Sequence, residues 1–354
     1  MKFLRLAQIG LGWYVASAVV GMVATDPVTA DATCVVEHSP SDADTGLVIH
    51  LPPMCSPDER EAYAVPGATV IDAIANGRRV DLVGVIIRGE LIFDRLASKT
   101  ARGLNEDEEE QRLVQAALQI RESEVRGVLR HRSPDGVLRF EGPVDFQGSR
   151  FREGVDLSRS VFQGKVDLSG ATFEKEAHFV RGRFNEEAVC RDTKFGPSTR
   201  FHRSMFHGPL DCTGALFNGM AEFLEVTFEQ PATFERSRFG QGTGFSGSHF
   251  KSRVTFGEAI FSRETFFGFT IFESEALFAG AQFLGTADFS NAEFRQQDDL
   301  AKARFDQPPL LTQTKRLASE QSNSFLEIRE GQYALTLVFL VAAVLLIAYI
   351  IKLK

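Results

Sequence analysis

The chain has 354 residues, 44% of them hydrophobic, and a formal net charge of −8. These values allow a sizeable core and exclude a disordered chain or a basic protein that coats nucleic acid. The 32 Phe against 4 Tyr and 1 Trp are an excess of the one aromatic without a polar handle, which points to core filling more than to a recognition surface.

In chain order, Lys2 and Arg5 precede an apolar stretch from Ile9 to Ala24, and Ala30-Asp-Ala32 offers a small-x-small cleavage site. Residues 1–32 therefore read as a bacterial-style export signal. Residues 33–65 form an N-terminal segment in which Cys34 and Cys55 are expected to pair in an oxidising compartment. On the chain-entropy model that closure stabilises by about 3 to 4 kcal/mol.

Residues 66–139 hold three elements. Pro66 to Gly77 predicts a short helix with Ile71 and Ile74 on one face and Gly77 just beyond its end, placed to cover the open edge of the repeats beyond it. Leu82, Ile87 and Phe93, each with Val80, Val85 or Leu91 two residues before it, predict a first solenoid turn. Asn105-Glu-Asp-Glu108 has a capping-box pattern that opens an inserted helix to Arg121, with Leu113, Ala117 and Ile120 on one stripe. Ser133-Pro-Asp-Gly136 then marks a turn between short strands at Val128-Leu129 and Val137-Leu138.

From Phe140 to Phe305 a large apolar residue recurs in steps that alternate six and five without exception. Of these 31 positions 26 are Phe, the others being Leu157, Leu168, Cys190, Cys212 and Leu300. Two residues before each stands a small or β-branched residue, with Leu138, Leu210 and Asp298 as exceptions. This pattern predicts short strands whose large centre and small neighbour two positions earlier both point inward, each followed by a corner. Four such faces, two steps of six and two of five, make a square coil of about 22 residues. The array then spans about seven and a half coils and roughly 36 Å at ~4.8 Å per coil.

The strings Val144-Asp-Phe-Gln-Gly-Ser-Arg-Phe151, Val166-Asp-Leu-Ser-Gly-Ala-Thr-Phe173 and Ala287-Asp-Phe-Ser-Asn-Ala-Glu-Phe294 resemble the pentapeptide repeat family. The resemblance implies a right-handed quadrilateral β-helix and no catalytic residues. The chain departs from the family unit in having mostly Phe at the centre and six residues in every second unit, so one corner in two should widen.

Residues 306–332 read as a linker containing Pro308-Pro309. Tyr333 to Ile351 is uncharged over 19 residues, long enough to span a hydrocarbon core of roughly 30 Å as a transmembrane helix, and Lys352 and Lys354 make residues 352–354 a basic tail expected in the cytoplasm. The expected fold class is thus an all-β solenoid with an N-terminal capping helix, an inserted helix and a C-terminal transmembrane helix.

No catalytic, cofactor-binding or metal site is expected. His178, His202, His207 and His249 stand beside core positions, point outward and have no metal-ligand spacing. Over 141–305 there are 19 Lys plus Arg against 23 Asp plus Glu, without the basic stripe that nucleic acid requires. Phe266 and Phe269 flank the core residue Phe267; a widened corner that tucks one ring under a neighbour is the expectation, and an exposed contact patch the alternative. Cys190 and Cys212, one whole coil apart, should face each other in adjacent turns as buried free thiols.

The functional expectation is a non-catalytic scaffold or protein-interaction module with protein partners. It would be anchored through its C-terminal helix in the bacterial cytoplasmic membrane, main domain on the extracytoplasmic side. The alternatives are a cytoplasmic target-protection protein of DNA-mimic type and a β-helix carbohydrate-active enzyme.

Overall fold

The structure is a computed structural model that describes residues 34, 46–102, 108–131 and 136–317. In one coil, Val144–Asp145 lies on the first face, Arg150–Phe151 on the second, Val155–Asp156 on the third and Ser160–Phe162 on the fourth. Val166–Asp167 then returns to the first face and pairs with Val144–Asp145 in register. The four faces are sheets of 10, 11, 9 and 11 strands in that order. Strands pair in parallel throughout the described residues except where Ser98–Arg102 lies antiparallel to Glu108–Val114.

Two kinds of corner follow from the alternating steps. After a first- or third-face centre the chain takes a five-residue step through a tight turn. The Ser149 amide donates to the Phe146 carbonyl at 3.1 Å, and Gly182 to Phe179 at 3.0 Å. The third turn residue has positive φ, 63° at Gly148 and 56° at Arg181, which defines type II geometry. The corners after the second and fourth faces carry the sixth residue. The recurrent Asp on the first and third faces steadies the tight turns, since Asp145, Asp156, Asp167 and Asp288 each accept the amide two residues on and so fix the chain as it enters the corner.

The core consists of ring columns. In-register strands bring each Phe over the Phe of the next coil, as in Phe206, Phe228 and Phe250, whose planes are within 5° of parallel at centroid separations of 5.3 and 4.5 Å. Rings of different columns meet edge to face, Phe228 with Phe234 at 88°. The small residue that stands two positions before each centre makes room for these crossings. At several second- and fourth-face positions it is Ser or Thr whose buried hydroxyl donates to a centre carbonyl in the preceding coil, as Ser204 does to Phe179 at 2.6 Å and Thr193 to Leu168 at 2.7 Å.

Both ends of the described solenoid depart from the ring columns. At the N-terminal end α1 (Pro57–Ala62) opens on a capping box between Ser56 and Glu59, and Arg60 ties it to the Gly84 carbonyl. Helix α2 (Gly67–Ala75) buries Val70, Ile71, Ala73 and Ile74. It stops in a Schellman arrangement, with Gly77 at φ 68° and the Arg78 amide on the Ala73 carbonyl. At the other end two inward positions carry charge. Arg316 takes the place of a fourth-face ring, 6.0 Å over Phe294, and its Nε donates to Asp298 at 2.9 Å.

The solenoid is longer than the array read from the Phe periodicity. Leu82, Ile87 and Phe93 point inward as expected, and an unexpected strand, Gly46–His50, pairs with Arg79–Val83 ahead of them. Beyond Phe305, Lys315–Arg316 still pairs with Glu293–Phe294. The inserted helix to Arg121 is corrected: Glu108–Val114 and Leu118–Arg121 are strands. Leu113, Ala117 and Ile120 read as a helical stripe, but the pairing of Leu118 with Val80 on one side and Val144 on the other satisfies the backbone there, and that tertiary pairing overrides local helix preference. The capping-box residues 105–107 and the turn residues 133–135 lie outside the described residues.

The transmembrane expectation is also corrected. Among the described residues no helix is long and apolar enough to cross a membrane; the longest, α2, has nine residues and so spans only about 13 Å. Segment 333–351 and the export signal 1–32 lie outside the described residues. The fold is therefore an all-β solenoid with two short N-terminal helices. The anchor, the single-pass placement in the cytoplasmic membrane and the extracytoplasmic assignment that followed from it are withdrawn.

Cys34 and Cys55 form a disulfide, with Cα atoms 4.8 Å apart. Cys190 and Cys212 meet in register as expected, with Cα atoms 4.5 Å apart, but are bonded to each other instead of standing as free thiols. Parallel pairing sends both side chains into the core along one column, and no ring separates them there. The chain, denatured without reductant, should accordingly show no free thiol; two per chain, mapped by labelling to Cys190 and Cys212, would contradict the second bond.

His131 occupies a third-face centre, buried between Phe93 and Leu157. Its Nδ1 lies 3.1 Å from Asp94, and its Nε2 lies 3.3 Å from the Gly136 carbonyl. Burial holds its pKa below the ordinary histidine value, opposed by the Gly136 carbonyl and Asp94. The folded state thus favours the neutral ring. That contribution is present above an unfolded value of about 6.5 and is lost as pH falls from there through the lowered folded value. Urea midpoints should drop between pH 7.5 and 5, and His131→Phe, which continues the ring column, should flatten the drop; an unchanged slope in that variant would refute the assignment.

Phe228 is 1% exposed between Phe206 and Phe250. Phe228→Ala should cost about 3 to 5 kcal/mol by urea denaturation, and a loss under about 1 kcal/mol would show that the columns do not set the fold.

Candidate binding face

The outward positions differ between faces, and many of their charged side chains form coil-to-coil ion pairs. Because the register repeats every 22 residues, a cation and an acid at that spacing stand side by side. Arg203 pairs with Glu225 at 2.7 Å, Lys251 with Glu229 at 2.9 Å, Lys165 with Glu187 at 3.0 Å and Arg152 with Glu174 at 2.9 Å. Such exposed pairs contribute little each but leave the surface electrically patched.

The histidines join this pattern. His207 lies 2.8 Å from Glu229 and His249 2.7 Å from Glu273, both at the fourth face. His202 lies 3.3 Å from Glu222 on the third-face side, and His178 is on the third face itself. Among the described residues no group of three or more His, Cys, Asp or Glu is placed to hold a metal.

The third face departs from this pattern in two places. Towards its C-terminal end Phe266 stands outward on a strand, 44% exposed, and Phe269 occupies the positive-φ position of the next tight turn, 67% exposed. The tucked ring expected from the sequence is therefore corrected to an open pair. A turn residue at φ 58° projects away from the coil, so the geometry that places Phe269 there also denies it a neighbour to pack under. Met220 is also exposed on this face, and Leu310 follows Phe266 two coils on. Gly244, paired with Phe266, leaves a notch that Leu224 partly covers: a Cβ on Gly244 would come within 2.8 Å of Leu224 Cδ2.

Nearer the N-terminal end a polar depression of about 630 Å³ opens where the wide corners meet the third face. Arg130, Asp156, His178 and Arg200 follow one another on successive strands, with Lys175 and Ser198 on the corner side. Gly154, without a side chain, keeps the middle open. Burial pushes the His178 pKa down, with Asp156 opposing and Arg200 reinforcing the shift. Spacing placed these side chains outward and marked every second corner as the wider one; their convergence at one depression depends on how those corners fold, which the spacing does not show.

Residues 139–183, 157–205 and 201–249 each match the family described as pentapeptide repeats (9 copies). No curated protein matches the chain. The matched residues, 139–249, lie within the four-faced coil, and that stretch belongs to the pentapeptide repeat family.

Proposed function

We propose that this chain is a protein-interaction module whose binding face is the third face of the solenoid, with Phe266 and Phe269 as its anchors. Pentapeptide-repeat β-solenoids are typically non-catalytic scaffolds, and a scaffold works through what its surface holds. The observation that carries the reading is the exposure of Phe266 and Phe269, the two Phe among the described residues that are left exposed by a fold that otherwise consumes phenylalanine in its core. Exposed aromatics grouped with Met and Leu on one face are the usual energetic centre of a protein contact. The membrane-anchored version of this role is set aside with the anchor.

A second reading is target protection by imitation of duplex DNA. It is favoured by the acidic balance, −8 over the chain. It would need a run of unpaired carboxylates, and it predicts inhibition of a DNA-binding enzyme that duplex DNA relieves and that does not depend on Phe266.

The test compares proteins captured by the full chain with those captured by Phe266→Ser/Phe269→Ser. Each ring should be worth on the order of tenfold or more in affinity, so a specific partner should disappear from the double variant. The thermal melt should not fall, because neither ring is in the core. Identical capture by the two proteins would refute the third-face assignment.

A further inference from the structure

The polar depression lies on the same face as the aromatic pair, three to four strands away. At ~4.8 Å per strand, Arg200 and His178 stand about 14 and 19 Å from Phe266. Its floor has polar atoms without partners. Nε of Arg130, Nε2 of His178 and Oγ of Ser198 are buried without hydrogen-bond partners. Neither Arg130 nor Lys175 forms an ion pair among the described residues, whereas Arg200 is held by Glu222 at 2.8 Å.

The acceptors are differently placed. Asp156 already receives the Ser158 amide at 3.1 Å, and Glu153 and Glu176 are exposed on the corners, with Glu176 Oε2 lying 3.7 Å from where a Cβ on Gly154 would stand. The depression is therefore short of an acceptor at its floor, while its rim carries acids that would repel a multiply charged ion. A single carboxylate meets both conditions. It carries one charge, and its two oxygens match the fork of the Arg130 guanidinium.

We infer that the depression is a carboxylate-binding subsite in which Arg130, His178 and Ser198 receive an Asp or Glu side chain of the protein partner, with Lys175 at its rim. That the carboxylate comes from a protein rests on the third face being the protein-binding face; the subsite itself does not. An extended segment covers the distance between the two features in about five residues at ~3.3 Å each, so one strand of a partner laid along the coil axis reaches both.

The probes are two peptides that leave the strand direction open, Ac-Asp-Gly-Ser-Gly-Ser-Trp-NH2 and Ac-Trp-Ser-Gly-Ser-Gly-Asp-NH2, titrated against the full chain. Binding is followed by NMR of the His178 ring. At least one peptide should shift that ring saturably. Replacing its Asp by Asn should weaken binding about tenfold, and this difference should vanish in Arg130→Gln and shrink in Lys175→Gln, a change at an exposed position that leaves the fold intact. An Asn peptide that binds equally well, an Asp effect undiminished in both variants, no binding of either peptide, or displacement by inorganic phosphate at lower concentration than by acetate would each overturn the subsite. Replacing the peptide Trp by Ser, and Phe266→Ser in the protein, report on the face separately. If neither matters while the Asp effect persists, the subsite stands and the aromatic anchor does not.

Discussion

Hydrogen-bonded parallel strands can only stand about 4.8 Å apart, and the described solenoid follows from that one distance. Every residue is repeated in space by the residue one coil later, so whatever occupies a column must tolerate a copy of itself at strand spacing. A flat ring does so, and the observed centroid separations along the columns, such as 4.8 Å for Phe217 over Phe239 and for Phe239 over Phe261, match the backbone repeat. The same repeat sets hydroxyls beneath carbonyls in the interior and arginines beside glutamates outside. Core and surface are two results of one register.

That register explains what could be read from the amino-acid order. An unbroken alternation of six and five gives the inward set, and four faces per turn then make a coil of about 22 residues, which puts Phe195 over Phe217. The strand at Gly46–His50 escaped because it is a single coil with ordinary aliphatic residues, Leu47 and Ile49, and no repeat of its own to reveal it. Residues up to Arg121 were misread for a related reason. Leu113, Ala117 and Ile120 satisfy a helical period, and only the strands on either side, which are distant in sequence, decide that Leu118 and Ile120 run extended. Helix α1 could have been found from Ser56-Pro-Asp-Glu59, a capping box with proline at its first position.

The candidate face was legible only in part. That Phe266 and Phe269 lie off the core positions follows from counting. That Phe269 stands open follows from its place as the third residue of a tight turn, and the count does not say which steps are tight turns with positive φ. The depression needed still more: two kinds of corner alternate around the coil, and only the wide ones give room for Lys175, Glu176 and Ser198 to surround the third-face column. Surface chemistry here is set by corner type, and corner type is a property of pairs of units.

The charged pair at Asp298 and Arg316 also bears on how such a chain changes length. Ring columns have no internal reason to stop, since each coil presents to the next the same surface that it received. A salt bridge written across two inward positions ends that invitation within the sequence itself, and it does so wherever it happens to fall. Duplication or loss of a whole coil upstream would leave it intact and shift everything beyond it by the height of one turn. The distance between any two surface features is therefore inherited in steps of about 4.8 Å, so a lineage of such proteins could adjust the gap between contact points as one moves a peg along a notched rule.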